Sequence, residues 1–299
     1  MNKVVVITGP TAVGKTSISI KVAKHFKTDI LNVDAFQVYK ELNIGTSKPT
    51  LEERAGIKHL MMDELEPSDN FSIYDYQQAA RCHIDNLVKE NKLPLVVGGS
   101  GLYIDSLLYD YKLTNDGRDD DFEKQYLNLS NDELHSLLTK HDCNKAKEIH
   151  PNNRKRVLRA LEKALKNENQ LDDYKALEHP LYDILIIFLE DDRDVLYNRI
   201  NLRVDQMVEL GLVEEAEKLF SKDLSLQARQ AIGYRELFSY FNNEISKEEA
   251  IELIKQHSRN YAKRQFTWFR NHPHTINVRF ENVNLTSEKV INLINEFLK

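Results

Sequence analysis

A short apolar run, Val4-Val5-Val6-Ile7, leads directly into Gly9-Pro10-Thr11-Ala12-Val13-Gly14-Lys15-Thr16, and nothing else in the chain limits the fold so tightly. Two glycines enclosing four residues, then Lys and Ser/Thr, form the phosphate-loop pattern. The glycines let the backbone wind until successive N–H groups face one anion. The helix expected from about Lys15 to His25 adds its N-terminal partial positive charge. Lys15 is placed to reach an outer phosphate, and the Thr16 hydroxyl to ligate a phosphate-bound magnesium ion. The loop predicts a phosphorylated ligand without naming it.

The chain of 299 residues allows one large domain or a core with an inserted module. Its net charge of −6 argues against nucleic-acid binding through bulk electrostatics, so any such site must be a local patch. The two cysteines, Cys82 and Cys143, lack metal-ligand spacing and are expected to be reduced thiols. None of the ten histidines forms an HExxH-type set, which argues against zinc. The apolar start gives way at once to the phosphate loop and no stretch approaches a membrane span, so a cytoplasmic protein without membrane contact is expected.

Further along, Asp29 to Val33 reads as a second buried strand ending at Asp34. Residues Phe71 to about Lys92 carry helical spacing behind a Ser72 cap with Asp75 three residues on. Leu93-Pro-Leu-Val-Val97 is another strand, and Gly98-Gly-Ser-Gly101 opens a helix at Leu102. Ligands of an open α/β sheet gather at the carboxyl ends of its strands, so Asp34 and Ser100 are expected near the phosphate loop. Near Asp110 the pattern changes. Asn115 to Asp121 is acidic and turn-like, and the chain then reads as helical until strand character returns at Asp183. The fold class is therefore α/β, a phosphate-loop NTPase-like parallel sheet flanked by helices. Its core comprises residues 1–114 and 183–299, and residues 115–182 form an all-helical insertion. His150-Pro151-Asn152-Asn153 reads as a helix start with Asn capping. Helices are expected over Arg193–Glu209, Val213–Phe220, Ser246 to about Arg270, and Glu288–Leu298, with a strand at Thr275–Val278.

Two basic clusters interrupt the acidic background. Asn144 to Lys166 holds eight Lys/Arg against Glu148 and Glu162. Ile251 to His274 carries Lys255, Arg259, Lys263, Arg264 and Arg270 against Glu252, interleaved with Tyr261, Phe266, Trp268 and Phe269. Basic residues among aromatics suit a polyanionic partner with base stacking, although Tyr261, Ala262, Phe266 and Phe269 also fit a core-facing stripe. Arg229 and Arg235 are further candidate anion contacts. Asp34 leaves its role open between a general base and an Asp that caps the next element or ligates magnesium through water.

The ordered motifs resemble bacterial-type tRNA dimethylallyltransferases (isopentenyltransferases). They are GPTAVGKT at 9–16, VDAFQVYKELNIGTSKP at 33–49, KHLMMDELEP at 58–67, PLVVGGSGLYI at 94–104, and HPNNRKRVLRALE at 150–162. DRDVLYNRINLRVDQMVELGLVEE at 192–215, QAIGYRE at 230–236 and YAKRQFTWFR at 261–270 complete the set. Two departures stand out: Asp34-Ala35-Phe36-Gln37 where the family commonly has Asp-Ser-Arg-Gln, and Ser100 where Thr is usual.

The resemblance implies transfer of a dimethylallyl group from its diphosphate to the exocyclic N6 amine of the adenosine just 3′ of the anticodon, in tRNAs reading codons that begin with U. It implies that Gly9, Pro10, Thr11, Ala12, Val13, Gly14, Lys15 and Thr16 hold the diphosphate. Asp34, Lys15, Thr16 and Arg229 carry catalysis, and magnesium lies at Thr16 and Ser100. Contacts with tRNA fall to Asp34, Ala35, Phe36, Gln37 and Ser100, and to Lys155, Arg156, Val157, Leu158 and Arg159 of an insertion that clamps the anticodon stem. The partners implied are tRNA and dimethylallyl diphosphate, with the protein acting as a monomer. From the residues alone, a phosphate-loop kinase with Arg193, Arg199 and Arg203 in a lid, or a nucleotide-switched RNA-binding protein, stays open.

Overall fold

The computed structural model describes residues 1–111, 113, 120–166, 177 and 179–299. The first apolar run forms β1 (Lys3–Thr8), whose residues Val4 to Ile7 are fully buried. A strand apolar on both faces belongs inside a sheet covered on both sides. After α1 (Lys15–Phe26) come β2 (Ile30–Val33), the short α2 (Leu51–Arg54) and β3 (His59–Leu60). The last two are too short to carry a periodicity, and the sequence pattern did not reveal them. Next, α3 (Ile73–Lys89) starts at the expected capping box, in which Ser72 Oγ accepts from Asp75 N (3.2 Å) and Asp75 Oδ2 accepts from Ser72 N (2.8 Å). β4 (Leu95–Gly98) and α4 (Gly101–Leu108) follow as the pattern predicts.

The chain divides into two compact units, Met1–Asp110 with His179–Lys299, and Tyr111–Glu178. Rejoining starts at His179 because backbone bonds tie the returning segment to the core: Asp110 N donates to His179 O (3.2 Å) and Leu181 N to Leu108 O (2.9 Å). The smaller unit contains α5 (Asp120–Gln125), α6 (Asn131–His141), α7 (Cys143–Glu148) and α8 (Arg154–Leu165). Its core gathers Phe122, Leu134, Leu138, Ile149, Val157 and Leu161. The turn-like stretch expected at Asn115 to Asp121 lies outside the described residues up to 119, and from Asp120 the chain is helical. Asn153 occupies the cap position of α8 without a side-chain cap bond, contrary to expectation; the neighbouring Asn152 N donates instead to His150 Nδ1 (3.2 Å).

The larger unit continues with β5 (Asp183–Glu190), α9 (Arg193–Glu209), α10 (Leu212–Phe220), a 3₁₀ turn (Ala228–Gln230), α11 (Tyr234–Phe241) and α12 (Lys247–Phe269). It ends with β6 (Thr275–Arg279) and α13 (Val283–Leu298), which begins a turn before the expected Glu288 because Asn282 Oδ1 caps Asn284 N and Leu285 N, both at 3.0 Å. The six strands run parallel in the order β3-β2-β4-β1-β5-β6, so the expected α/β class holds. One core packs α1 and α13 against the sheet through residues such as Ile18, Val22, Val290 and Ile294. A second joins α9 to α12 with the segment after β2, where Tyr39, Leu42 and Tyr234 are buried. Into that second core reaches Glu215, whose carboxylate accepts from Ile44 N (2.9 Å), Gly45 N (3.1 Å) and Tyr234 Oη (2.6 Å). Three motifs distant in sequence are thus joined by one side chain.

Cys82 and Cys143 are free and exposed, one in each unit. No helix among the described residues is long and apolar enough to cross a membrane. Gly98 ends β4 where a Cβ would overlap the Val33 carbonyl of β2, backbone that pairing holds in place. Gly98→Ala is therefore expected to lower stability by at least about 2 kcal/mol, as overpacking does. Urea unfolding of the two proteins measures the difference, and equal midpoints would show that β2 and β4 separate freely.

Candidate functional site

Because β2, β4 and β1 are neighbours, three connections meet at their carboxyl ends: Asp34 after β2, Gly99-Ser100 after β4, and the phosphate loop after β1. The loop winds as its sequence requires. Gly9 (φ 149°), Ala12 (φ 65°) and Gly14 (φ 99°) take positive φ, and the first and last are the glycines of the motif. A Cβ on Gly9 would overlap Leu189 O, which fixes the loop against β5. The side chain of Val13 is buried in the core, so it serves the loop only through its backbone. Gly14 stands at the cap of α1 without a side-chain cap bond, so the first amides of the helix have no cap from that side chain. Lys15 Nζ donates to Gly9 O and Pro10 O, both at 2.8 Å, and an ammonium group has a third donor to offer.

Asp34 divides its carboxylate between two tasks. Oδ1 accepts from Phe36 N (2.9 Å) and Gln37 N (3.1 Å), which is the capping role, while Oδ2 has no hydrogen-bond partner among the described residues. Burial pushes its carboxyl above the usual carboxylate range, against the opposing pull of those backbone donors and of the Lys15 charge. Burial, with help from the Arg203 charge, lowers Lys15 to about 7. Three phenols feel the Asp34 charge: Tyr76, Tyr103 and Tyr261, each raised chiefly by burial, the last two to about 12. Tyr76 and Tyr103 pack with ring centroids 4.8 Å apart. Tyr103 Oη accepts from Gln227 Nε2 (3.0 Å), Tyr261 Oη lies 3.2 Å from Ser100 Oγ, and Tyr76 Oη is buried with no partner among the described residues. The sequence does not assign these tyrosines to Asp34, because three helices far apart in the chain carry them, α3, α4 and α12.

The remaining predicted residues fall into distinct places. Ala35 O accepts from Gln227 Nε2 (3.2 Å), Gln37 Nε2 donates to Thr46 O (3.0 Å), and Phe36 packs partly buried against the second core. Arg229 lies in the 3₁₀ turn with Nε on Leu224 O (3.4 Å), and Arg203 is the cation whose charge reaches Lys15. Of the other arginines considered for a kinase lid, Arg199 pairs with Asp191 (2.9 Å) and covers Phe280, and Arg193 covers Phe266. Arg193 and Arg270 line a cavity of about 400 Å³ at the carboxyl ends of β5 and β6. Along α12, Ala262 and Phe269 do face the core, Phe266 packs against it, and Trp268 is 43% exposed with Nε1 on Asp105 Oδ2 (2.9 Å).

In the smaller unit Lys155 and Arg156 are exposed, but Val157 and Leu158 are buried in its core. The 3.6-residue period of α8 turns the side chains of these two inward, so of the expected contact run only Lys155 and Arg156 are exposed. Several cations of the basic cluster have local partners. Arg159 and Lys166 pair with Glu162 (2.7 and 2.9 Å), Lys145 pairs with Glu148 (2.9 Å), and Arg154 donates to Leu129 O and Tyr126 O, both at 2.6 Å.

Magnesium typically takes one or two protein oxygens, keeps waters, and binds mainly through substrate phosphates. The Thr16 hydroxyl at the start of α1 fits that demand, and the Ser100 hydroxyl lies 3.2 Å from Tyr261 Oη. Among the described residues no group of three or more His, Cys, Asp or Glu could hold a metal by itself.

A parallel sheet that sets a phosphate loop beside a carboxylate bound on one oxygen and three phenols defines a phosphate-loop α/β protein. A family model described as IPP transferase matches residues 37–272, and the chain belongs to that family. The tRNA dimethylallyltransferases of Staphylococcus saprophyticus and Anoxybacillus flavithermus are each 46% identical to it, covering 90% of this chain and 88% of their own. Among solved structures, a tRNA delta(2)-isopentenylpyrophosphate transferase from Staphylococcus epidermidis superimposes with TM-score 0.75 at 42% identity over 99% of both chains. A eukaryotic dimethylallyltransferase acting on tRNA does so with TM-score 0.79 at 26% identity, over 100% of this chain and 80% of that one.

The depressed Lys15 predicts proton uptake. Above neutral pH the free amine prevails, and a bound anion restores the ammonium. Calorimetric titration with inorganic diphosphate at about pH 8 should therefore show a buffer-dependent enthalpy corresponding to uptake, one that shrinks at about pH 6. The uptake should be missing from Lys15→Arg, which stays charged throughout. Equal proton exchange in both proteins would mean that Lys15 is not the group being recharged.

Proposed function

We propose that this protein transfers the dimethylallyl group of dimethylallyl diphosphate to the N6 amine of the adenosine immediately 3′ of the anticodon, in tRNAs reading codons that begin with U, and releases diphosphate. Membership of the IPP transferase family supports the reaction class. The observation that carries the mechanism is the Asp34 carboxylate, bound to backbone through Oδ1 and open at Oδ2, within the electrostatic reach of Lys15.

The phosphate loop and the α1 N-terminus take the diphosphate end, and the third Lys15 donor takes a phosphoryl oxygen. The allylic C–O bond breaks with its electron pair passing to diphosphate, and these donors stabilise the negative charge that develops there. Magnesium held by Thr16 would neutralise part of the same charge. The adenine N6 lone pair forms the new C–N bond, and Asp34 Oδ2 takes the N6 proton. Burial suits Asp34 to this work, because a carboxylate of raised proton affinity is a better base than an exposed one. The target base must leave its stack to reach this site. Ala35, Phe36, Gln37 and Ser100 border its path, and the exposed Lys155 and Arg156 supply contacts to the tRNA backbone.

Asp34→Asn keeps the Oδ1 acceptor for Phe36 and Gln37 and removes the base. Transfer of labelled dimethylallyl to unmodified tRNA should fall by about 10²- to 10⁴-fold while tRNA affinity persists. Unimpaired turnover would sink the assignment. Lys155→Ala with Arg156→Ala should weaken tRNA binding, reduce its salt slope by about two, and leave diphosphate affinity unchanged. An unchanged salt slope would remove these residues from the interface.

A further inference from the structure

One face of α12 touches the two connections that flank the candidate site at successive points. Tyr261, Gln265 and Trp268 recur at the spacing that places helical residues in one stripe. Tyr261 Oη meets Ser100 Oγ, Trp268 packs where a Cβ on Gly101 would collide with its ring, and Gln265 lies between them. Gln265 is 4% exposed and uses both ends of its amide on backbone. Oε1 accepts from Thr11 N (2.9 Å) in the phosphate loop, and Nε2 donates to Gly99 O (2.9 Å) in the connection after β4. No other side chain described here bridges these two loops.

The bridge is built for this side chain. A Cβ on Gly99 would overlap Gln265 Nε2, so glycine there is what lets the amide approach the backbone. The bond to Gly99 O is buried and the bond to Thr11 N partly so, and a buried polar group that loses its partner is costly, so the amide resists leaving its two partners. This bond also turns Thr11 N–H toward the helix. The helix carrying the amide is itself held in the core by Ala262 and Phe269.

We infer that Gln265 is a positioning residue that sets the spacing between the diphosphate subsite and the Ser100–Tyr261 wall against which the acceptor reacts. The inference rests on the transfer reaction proposed above. With the strut in place, the leaving group and the acceptor amine stay in line. Without it the phosphate loop still winds, because its glycines and Lys15 hold it locally, but the two halves of the site lose their common reference. A misplacement of about 1 Å costs roughly 10²-fold in rate.

The test compares wild type with Gln265→Met, which removes both bonds at similar volume, and Gln265→Glu, which keeps the acceptor for Thr11 and loses the donor to Gly99. Saturating tRNA transcript and varied dimethylallyl diphosphate give kcat and KM, calorimetry gives the affinity for inorganic diphosphate, and thermal melts verify folding at the assay temperature. The expected result is a fall in kcat of roughly 10²-fold in both variants, with KM and diphosphate affinity within about threefold of wild type. If Gln265→Met does not fold, Gln265→Glu decides alone. Wild-type kcat in a folded variant overturns the inference, as does a loss of diphosphate affinity that matches the loss of rate, which would make Gln265 part of the cradle. A wild-type enzyme that transfers no dimethylallyl group overturns the underlying reaction as well, an outcome told apart by the wild-type arm.

Discussion

The pairing of β1 on both sides places nearly everything the site requires. Hydrogen-bonded to β4 through Val5 to Ile7 and to β5 through Lys3 to Thr8, this strand has no free edge, and its apolar side chains are sealed from water. The polypeptide can then turn only at its carboxyl end, and the phosphate loop is that turn. β4 beside it brings Gly99 and Ser100, and β2 one strand further brings Asp34. Three segments far apart in sequence converge because parallel strands all finish on the same side of the sheet.

Convergence of this kind creates an electrostatic conflict. Enclosing an ammonium and a carboxylate in one region disfavours the charged form of each, and their mutual attraction only partly offsets that cost. Two features moderate it. Backbone donors from Phe36 and Gln37 hold one Asp34 oxygen, and the carbonyls of Gly9 and Pro10 hold the Lys15 ammonium. Neither group is fully satisfied, and the capacity left over is what a diphosphate and an amine proton would use.

Local patterns made much of this readable in the sequence. The strand–loop–helix order at the start, the Ser72–Asp75 box and the capped start of α12 at Ser246 each depend on residues within a few positions of one another. What could not be read depends on partners far apart. Gln265 lies 254 residues from Thr11, and Glu215 lies 171 from Ile44. Both fall inside motifs that resemble the family, but a motif does not say whether a residue meets substrate or holds a loop. The expected run at 155–159 differs in kind. Helical period alone sends the apolar Val157 and Leu158 inward and leaves Lys155 and Arg156 outside. A charge count is likewise silent on placement: Lys145, Arg159 and Lys166 sit on Glu148 and Glu162, and loop carbonyls hold Arg154.

Cys82 sits on α3 in the larger unit and Cys143 begins α7 in the smaller, both exposed and neither bonded to another cysteine. The chain has no third thiol. A maleimide dye pair attached to the wild-type protein therefore marks each body once, and energy transfer between the labels becomes a ruler of inter-body distance that needs no engineered residue.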